Sequence, residues 1–109
     1  MKLVLAPKLD LQDFADRVAS ASGLLKALAN ENRLMVLCKL LEADEMSVSA
    51  LSEAIGLGQS ALSQHLARMR DEGLVETRRA GQTIYYRVGN PNVARVIGTL
   101  RDIFCNPQN

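Results

Sequence analysis

The side chains best suited to chemistry fall into two groups. Gln59, Ser60, Ser63, Gln64 and His65 lie close together and are followed by Arg68; Arg78, Arg79, Gln82 and Thr83 come a little later. Amides and hydroxyls hydrogen-bond base edges or phosphates, and guanidinium groups neutralise phosphates, so this set suits a nucleic-acid surface. Its bland alternative is an ordinary solvated helix face followed by solubilising charges on a strand. The second group is the pair of thiols, Cys38 and Cys105. A thiolate is a nucleophile and a soft metal ligand, yet cysteine is also a common buried filler. His65 is the sole histidine, which is too little for a zinc site, and phosphate contact and half-buried packing compete for it. There is no Cys-x-x-Cys pair, no cysteine near His65 and no phosphate-cradling glycine loop, so no catalytic constellation and no cofactor are expected.

Those groups need elements to hold them. Leu11, Phe14, Ala15, Val18, Ala21, Leu25 and Leu28 recur at helical spacing after Asp10, which predicts a capped helix over about residues 10–29. Asn30 can cap a second helix with Leu34, Leu37, Cys38 and Leu41 on one stripe, ended by Glu42-Ala43-Asp44-Glu45. Ser47 can cap a short third helix with Leu51, Ala54 and Ile55 inward, and Gly56-Leu57-Gly58 turns the chain into a fourth. In that fourth helix Leu62, Leu66 and Met69 lie on one side, and Ser60, Ser63, Gln64 and Ala67 on the other. Strands over Leu74 to Thr77 and Thr83 to Val88 bracket Ala80-Gly81 as a hairpin. Asn90-Pro91 then opens a last helix that is apolar over a broad arc from Val93 to Phe104. The expectation is a mainly α fold with a small β-hairpin, in the order helix, helix, helix, helix, strand, strand, helix. That is a winged helix-turn-helix, forming one domain over 1–109 with flexible ends at about 1–9 and 106–109.

Composition narrows the partner. Two Tyr, two Phe and no Trp give no platform for stacking single-stranded bases, which favours duplex DNA. The formal charge is only +1, but it is unevenly spread. Glu31, Glu42, Asp44, Glu45 and Glu53 outnumber Arg33 and Lys39 in the second and third helices, while Arg68, Arg70, Arg78, Arg79 and Arg87 gather around the fourth helix and hairpin. The near-neutral total keeps open a winged protein-interaction module without DNA affinity. So small a chain is short of burial, which self-association would supply, and the broad apolar arc of the last helix is assigned to a subunit interface, with completion of an intramolecular core as its alternative. No apolar run suits a membrane, and Met1 to Pro7 is too short for a secretory signal, which implies a cytoplasmic protein with reduced thiols.

From about Leu24 to Cys105 the chain resembles the ArsR family of dimeric bacterial repressors. The likeness lies in Ala29-Asn30-Glu31-Asn32-Arg33-Leu34, Ser60-Ala61-Leu62-Ser63-Gln64-His65-Leu66, Gly73-Leu74-Val75 and Gly81-Gln82-Thr83-Ile84-Tyr85-Tyr86. It implies a dimer built by the first and last helices. It also implies two recognition helices in successive major grooves of an imperfectly palindromic operator, in the cytoplasm and nucleoid-associated when bound. One departure is Gly58, where relatives often have a Ser cap, at a cost of about a few tenths of a kcal/mol. Others concern metal: the family's Cys-x-Cys pair reads Ser47-Val48-Ser49 here, and Val93 to Phe104 has no His and one acid, Asp102, so no metal site is expected. Cys38 and Cys105 instead resemble the family's sulfide- and persulfide-responsive subgroup. That implies a dithiol switch in which reactive sulfur or an oxidant bridges the cysteines and the operator is released. A metal- or metalloid-responsive repressor using the two cysteines with borrowed ligands is the alternative.

Overall fold

The computed structural model describes residues 10–105. The expected flexible ends, 1–9 and 106–109, lie outside the described residues. Five helices and three strands follow in order: α1 (Leu11–Leu28), α2 (Glu31–Ala43), β1 (Met46–Ser47), α3 (Val48–Ile55), α4 (Gln59–Asp71), β2 (Val75–Ala80), β3 (Thr83–Val88) and α5 (Pro91–Phe104). This is the winged helix-turn-helix expected from the sequence. None of the described helices is long and apolar enough to cross a membrane.

Packing divides the chain into a part ending at Asn30, which holds α1, and a part from Glu31 onward. α1 starts where Asp10 accepts a hydrogen bond from the Asp13 N–H at 2.8 Å, satisfying one of the donors a helix start leaves unpaired. Leu28 is buried, but Leu11, Phe14, Val18 and Leu25 of the same apolar stripe are exposed.

From Glu31 onward the core is aliphatic. Val36, Leu37 and Leu40 of α2, Leu51 of α3, Leu62, Leu66 and Met69 of α4, and Val93 and Ile97 of α5 have no exposed surface. Each such side chain contributes about 1.5–3 kcal/mol relative to exposure. α2 departs from expectation: Val36 and Leu40 are core, whereas Leu34, Cys38 and Leu41 are only half-buried. Ala54, expected inward on α3, is exposed.

Local signals fix the element ends. Ser47 caps α3 through the Ala50 N–H (3.2 Å), and Asn90 caps α5 through the N–H groups of Asn92 (2.8 Å) and Val93 (3.4 Å). In the turn before α4 the Ser52 hydroxyl donates to the Leu57 carbonyl at 2.5 Å, and Gly58 gives no side-chain cap. α4 ends with the Gly73 N–H on the Arg70 carbonyl (3.0 Å) and the Leu74 N–H on the Met69 carbonyl (2.8 Å). That closure needs a left-handed residue, and Gly73 supplies it at φ 76°.

The sheet is antiparallel in the order β1-β3-β2. β2 runs to Ala80, three residues beyond the expected Thr77, and Ala80 pairs with Thr83 across a Gly81-Gln82 turn in which Gly81 has φ 63°. β1 was not expected: Met46 pairs with Tyr86 and Ser47 with Tyr85, so the hairpin is tied to the segment that opens α3.

Candidate DNA-reading surface and dithiol cleft

α4 separates its two faces cleanly. With Leu62, Leu66 and Met69 fully buried, the residues between them point outward, and Gln59, Ser60, Ser63, Gln64 and Arg68 are all exposed. Ser60, Ser63, Gln64 and Ala67 form one narrow face of small or medium side chains, the shape a helix needs to enter a major groove. His65 is half-buried at the edge of that face. A 2.6 Å ion pair between Arg33 of α2 and Glu72, just past α4, ties the two helices. The Arg33 side chain is only 13% exposed, so the pair is better shielded than an ordinary surface contact.

On the hairpin, Arg78, Arg79, Gln82 and Thr83 are exposed, with Gln82 in the turn. The two arginines nonetheless differ. Arg78 donates two hydrogen bonds to Glu45, one from Nε at 3.2 Å and a second from Nη2, and lies 4.9 Å from the Tyr85 ring centre. The hydrogen bond from Arg78 holds the Glu45 carboxyl below the usual carboxylate range and raises Arg78 in return. Arg87 is paired with Glu76 at 2.5 Å. Of the arginines expected to hold phosphates, Arg79 and Arg68 make no ion pair among the described residues, so no carboxylate there competes for their guanidinium groups. Arg79→Ala is therefore expected to weaken binding to all duplexes and to flatten log K against log salt by about 0.9 for each phosphate it no longer neutralises. Arg78→Ala should change that slope less, and measuring both slopes separates the two roles.

Cys38 and Cys105 are free thiols lining the same cleft between α2 and the end of α5, about 310 Å3 in volume. The remaining wall is Leu34, Ile97, Leu100, Arg101 and Phe104. Cys38 is half-buried, and burial pushes its thiol pKa up, with the neighbouring Cys105 charge adding to the shift and Arg101 opposing it. Cys105 is exposed, and its N–H bonds the Arg101 carbonyl at 2.8 Å. Cys105 is thus the more accessible of the two thiols.

Sequence reasoning alone misses Glu45 and Arg101. Glu45 gives no signal, because its role depends on β1; Arg101 is detectable from its four-residue spacing before Cys105.

The family model for the bacterial regulatory protein, arsR family, matches residues 30–77. The transcriptional activator HlyU of Vibrio cholerae serotype O1 is 46% identical over 97 residues, covering 89% of each chain. A biofilm growth-associated repressor of Xylella fastidiosa (strain Temecula1) is 39% identical over 102 residues, covering 94% of this chain and 89% of its own. The solved structure of reduced HlyU from Vibrio cholerae N16961 superposes with a TM-score of 0.82 at 47% identity, covering 88% of this chain and all (100%) of that one.

Proposed function

The chain belongs to the ArsR family of bacterial transcriptional regulators, and from that premise we propose that it is a dimeric operator-binding repressor switched by a Cys38–Cys105 dithiol. The observation that carries the switch is the shared cleft: two free thiols, far apart in sequence, line one space between α2 and α5.

The homodimer forms through α1 and α5. Phe14, Val18 and Leu25 on α1, and Ile103 and Phe104 on α5, are large apolar side chains left exposed in the single chain, and a second copy covers them. Two-fold symmetry sets two α4 helices into successive major grooves of an imperfect palindrome. Gln59, Ser60, Ser63 and Gln64 face the bases, with His65 at the edge, while Arg68, Arg79 and the hairpin tip at Gln82 and Thr83 hold phosphates. The work is done in the bacterial cytoplasm.

The chemistry balances with a hydropersulfide as oxidant. The Cys105 thiolate attacks the outer sulfur of RS–SH; the Cys105 S–S bond forms, the RS–S bond breaks, and RS⁻ leaves with the electron pair. Cys38, as thiolate, then attacks the Cys105 sulfur and expels HS⁻, so the dithiol loses two electrons and the donor ends as the thiol RSH and hydrogen sulfide. Because burial raises the Cys38 thiol pKa, the closing step accelerates as pH rises beyond the ordinary thiol range. A bridge fixes α2 against α5, and the Arg33–Glu72 pair carries any shift of α2 to the end of α4. DNA release follows if the bridged geometry misplaces the two reading heads.

Intact mass of persulfide-treated protein tests the reading. Wild type is expected to lose two hydrogens, or to gain sulfur atoms between the cysteines, with its operator affinity reduced. Cys38→Ser and Cys105→Ser are expected to form no intramolecular bridge and to stay on the operator. Bridged wild type that binds unchanged would rule the switch out.

A further inference from the structure

We propose that Glu45 limits how tightly this protein holds any duplex: by keeping Arg78 in an internal pair, it withholds one cation per subunit from the DNA phosphates. The inference rests on the operator-binding reading above and adds to it a positioning residue that acts through Arg78.

Three segments build the pair. The chain leaves α2 through Asp44, in the left-handed region at φ 71°, and Glu45 follows directly before β1. Ser47 of β1, Tyr85 of β3 and Arg78 of β2 lie abreast in the sheet, so Arg78 reaches Glu45 across the middle strand. On the way its guanidinium lies 4.9 Å from the Tyr85 ring centre, and its Nε and Nη2 donate to the two carboxylate oxygens of Glu45. A two-point fork lying on an aromatic ring combines the two contacts that hold a guanidinium best. Arg87, whose charge also reaches Glu45, is occupied by Glu76.

A phosphate competes for the same fork. Arg78 is exposed, next to Arg79 and just before the hairpin turn, and a two-point phosphate contact requires it to leave Glu45. The exchange gains little, because it strands the Glu45 carboxylate beside the phosphate that has taken Arg78. With the carboxylate charge removed, the same movement becomes a plain gain of one phosphate contact in each subunit. The pair is exposed, so its loss costs the fold little.

The test is the salt dependence of binding to a random duplex by wild type, Glu45→Gln, Arg78→Ala and the double variant, with thermal unfolding of each as the check on folding. Glu45→Gln is expected to bind about fivefold more tightly at about 0.15 M salt for each phosphate gained. Its plot of log K against log salt should steepen by about 0.9 per phosphate. In the Arg78→Ala background the same change should leave the slope where it was, since no cation is released. An equal change of slope in both backgrounds would overturn the proposal, because Glu45 would then act as a bare charge. Unchanged or weaker binding by folded Glu45→Gln would overturn it too, and leave operator binding standing. Failure of wild type to bind any duplex at low salt would overturn the operator reading and this inference together.

Discussion

Leu66→Ala is expected to destabilise the protein by about 2–5 kcal/mol and to remove operator binding with it. Leu66 has no exposed surface and sits between Leu62 and Met69 on the inward side of α4. α4 packs on α3 and β2, so truncation leaves a cavity bounded by regular elements that have little freedom to collapse into it. Proteins of this size are stable by about 5–15 kcal/mol in total, so the loss is a large fraction. The consequence for function is direct, because the same helix carries Ser63 and Gln64 on its opposite face. Urea unfolding at fixed protein concentration measures it, since the proposed dimerisation would make the midpoint concentration-dependent. A shifted midpoint at constant slope is expected; an unchanged midpoint would mean that α4 is not anchored through this side.

Gln64→Ala is expected to act on recognition alone. A bidentate amide–base contact is worth about 1–3 kcal/mol of discrimination, and a symmetric dimer forfeits it twice, once in each half-site. Operator affinity should therefore fall by at least about tenfold, the equivalent of 1.4 kcal/mol, with preference relaxed at one base pair per half-site. Binding to random duplex should hold, because Gln64 is exposed and its removal disturbs no core residue. Binding to a panel of single-base operator variants gives the readout. Equal losses on operator and random DNA would assign Gln64 to the backbone instead.

Much of the fold is legible in the sequence, for identifiable reasons. The caps at Asp10, Ser47 and Asn90 are short polar side chains immediately before apolar periodicity, and all three make the hydrogen bonds their type suggests. α4 is readable because its apolar residues fall on one side only, leaving no doubt about its outer face. α2 is harder. Leu34, Met35, Val36, Leu37, Leu40 and Leu41 are apolar nearly all round, so periodicity alone does not choose the face, and packing buries Val36, Leu37 and Leu40. That same choice leaves Cys38 half-buried at a cleft instead of sealed in the core. β1 is two residues long and pairs with a strand far along the chain, which no local pattern encodes. The engagement of Arg78 with Glu45 follows from β1 and is hidden with it. Position alone groups Arg78 with Arg79 as phosphate anchors; the fold separates the two by giving only one of them a carboxylate.

The exposed apolar residues of α1 and α5 are legible as a stripe and an arc but not as a surface. Periodicity reports which side chains share a face; it does not report what covers them.

The most direct test is a titration of a duplex selected by the reduced protein, using reduced protein and protein whose Cys38–Cys105 bridge is verified by intact mass, at one salt concentration. The reduced form is expected to bind tightly, the bridged form at least about tenfold more weakly, and reduction should restore the first value. Equal affinities for the two verified forms would contradict a thiol-controlled repressor.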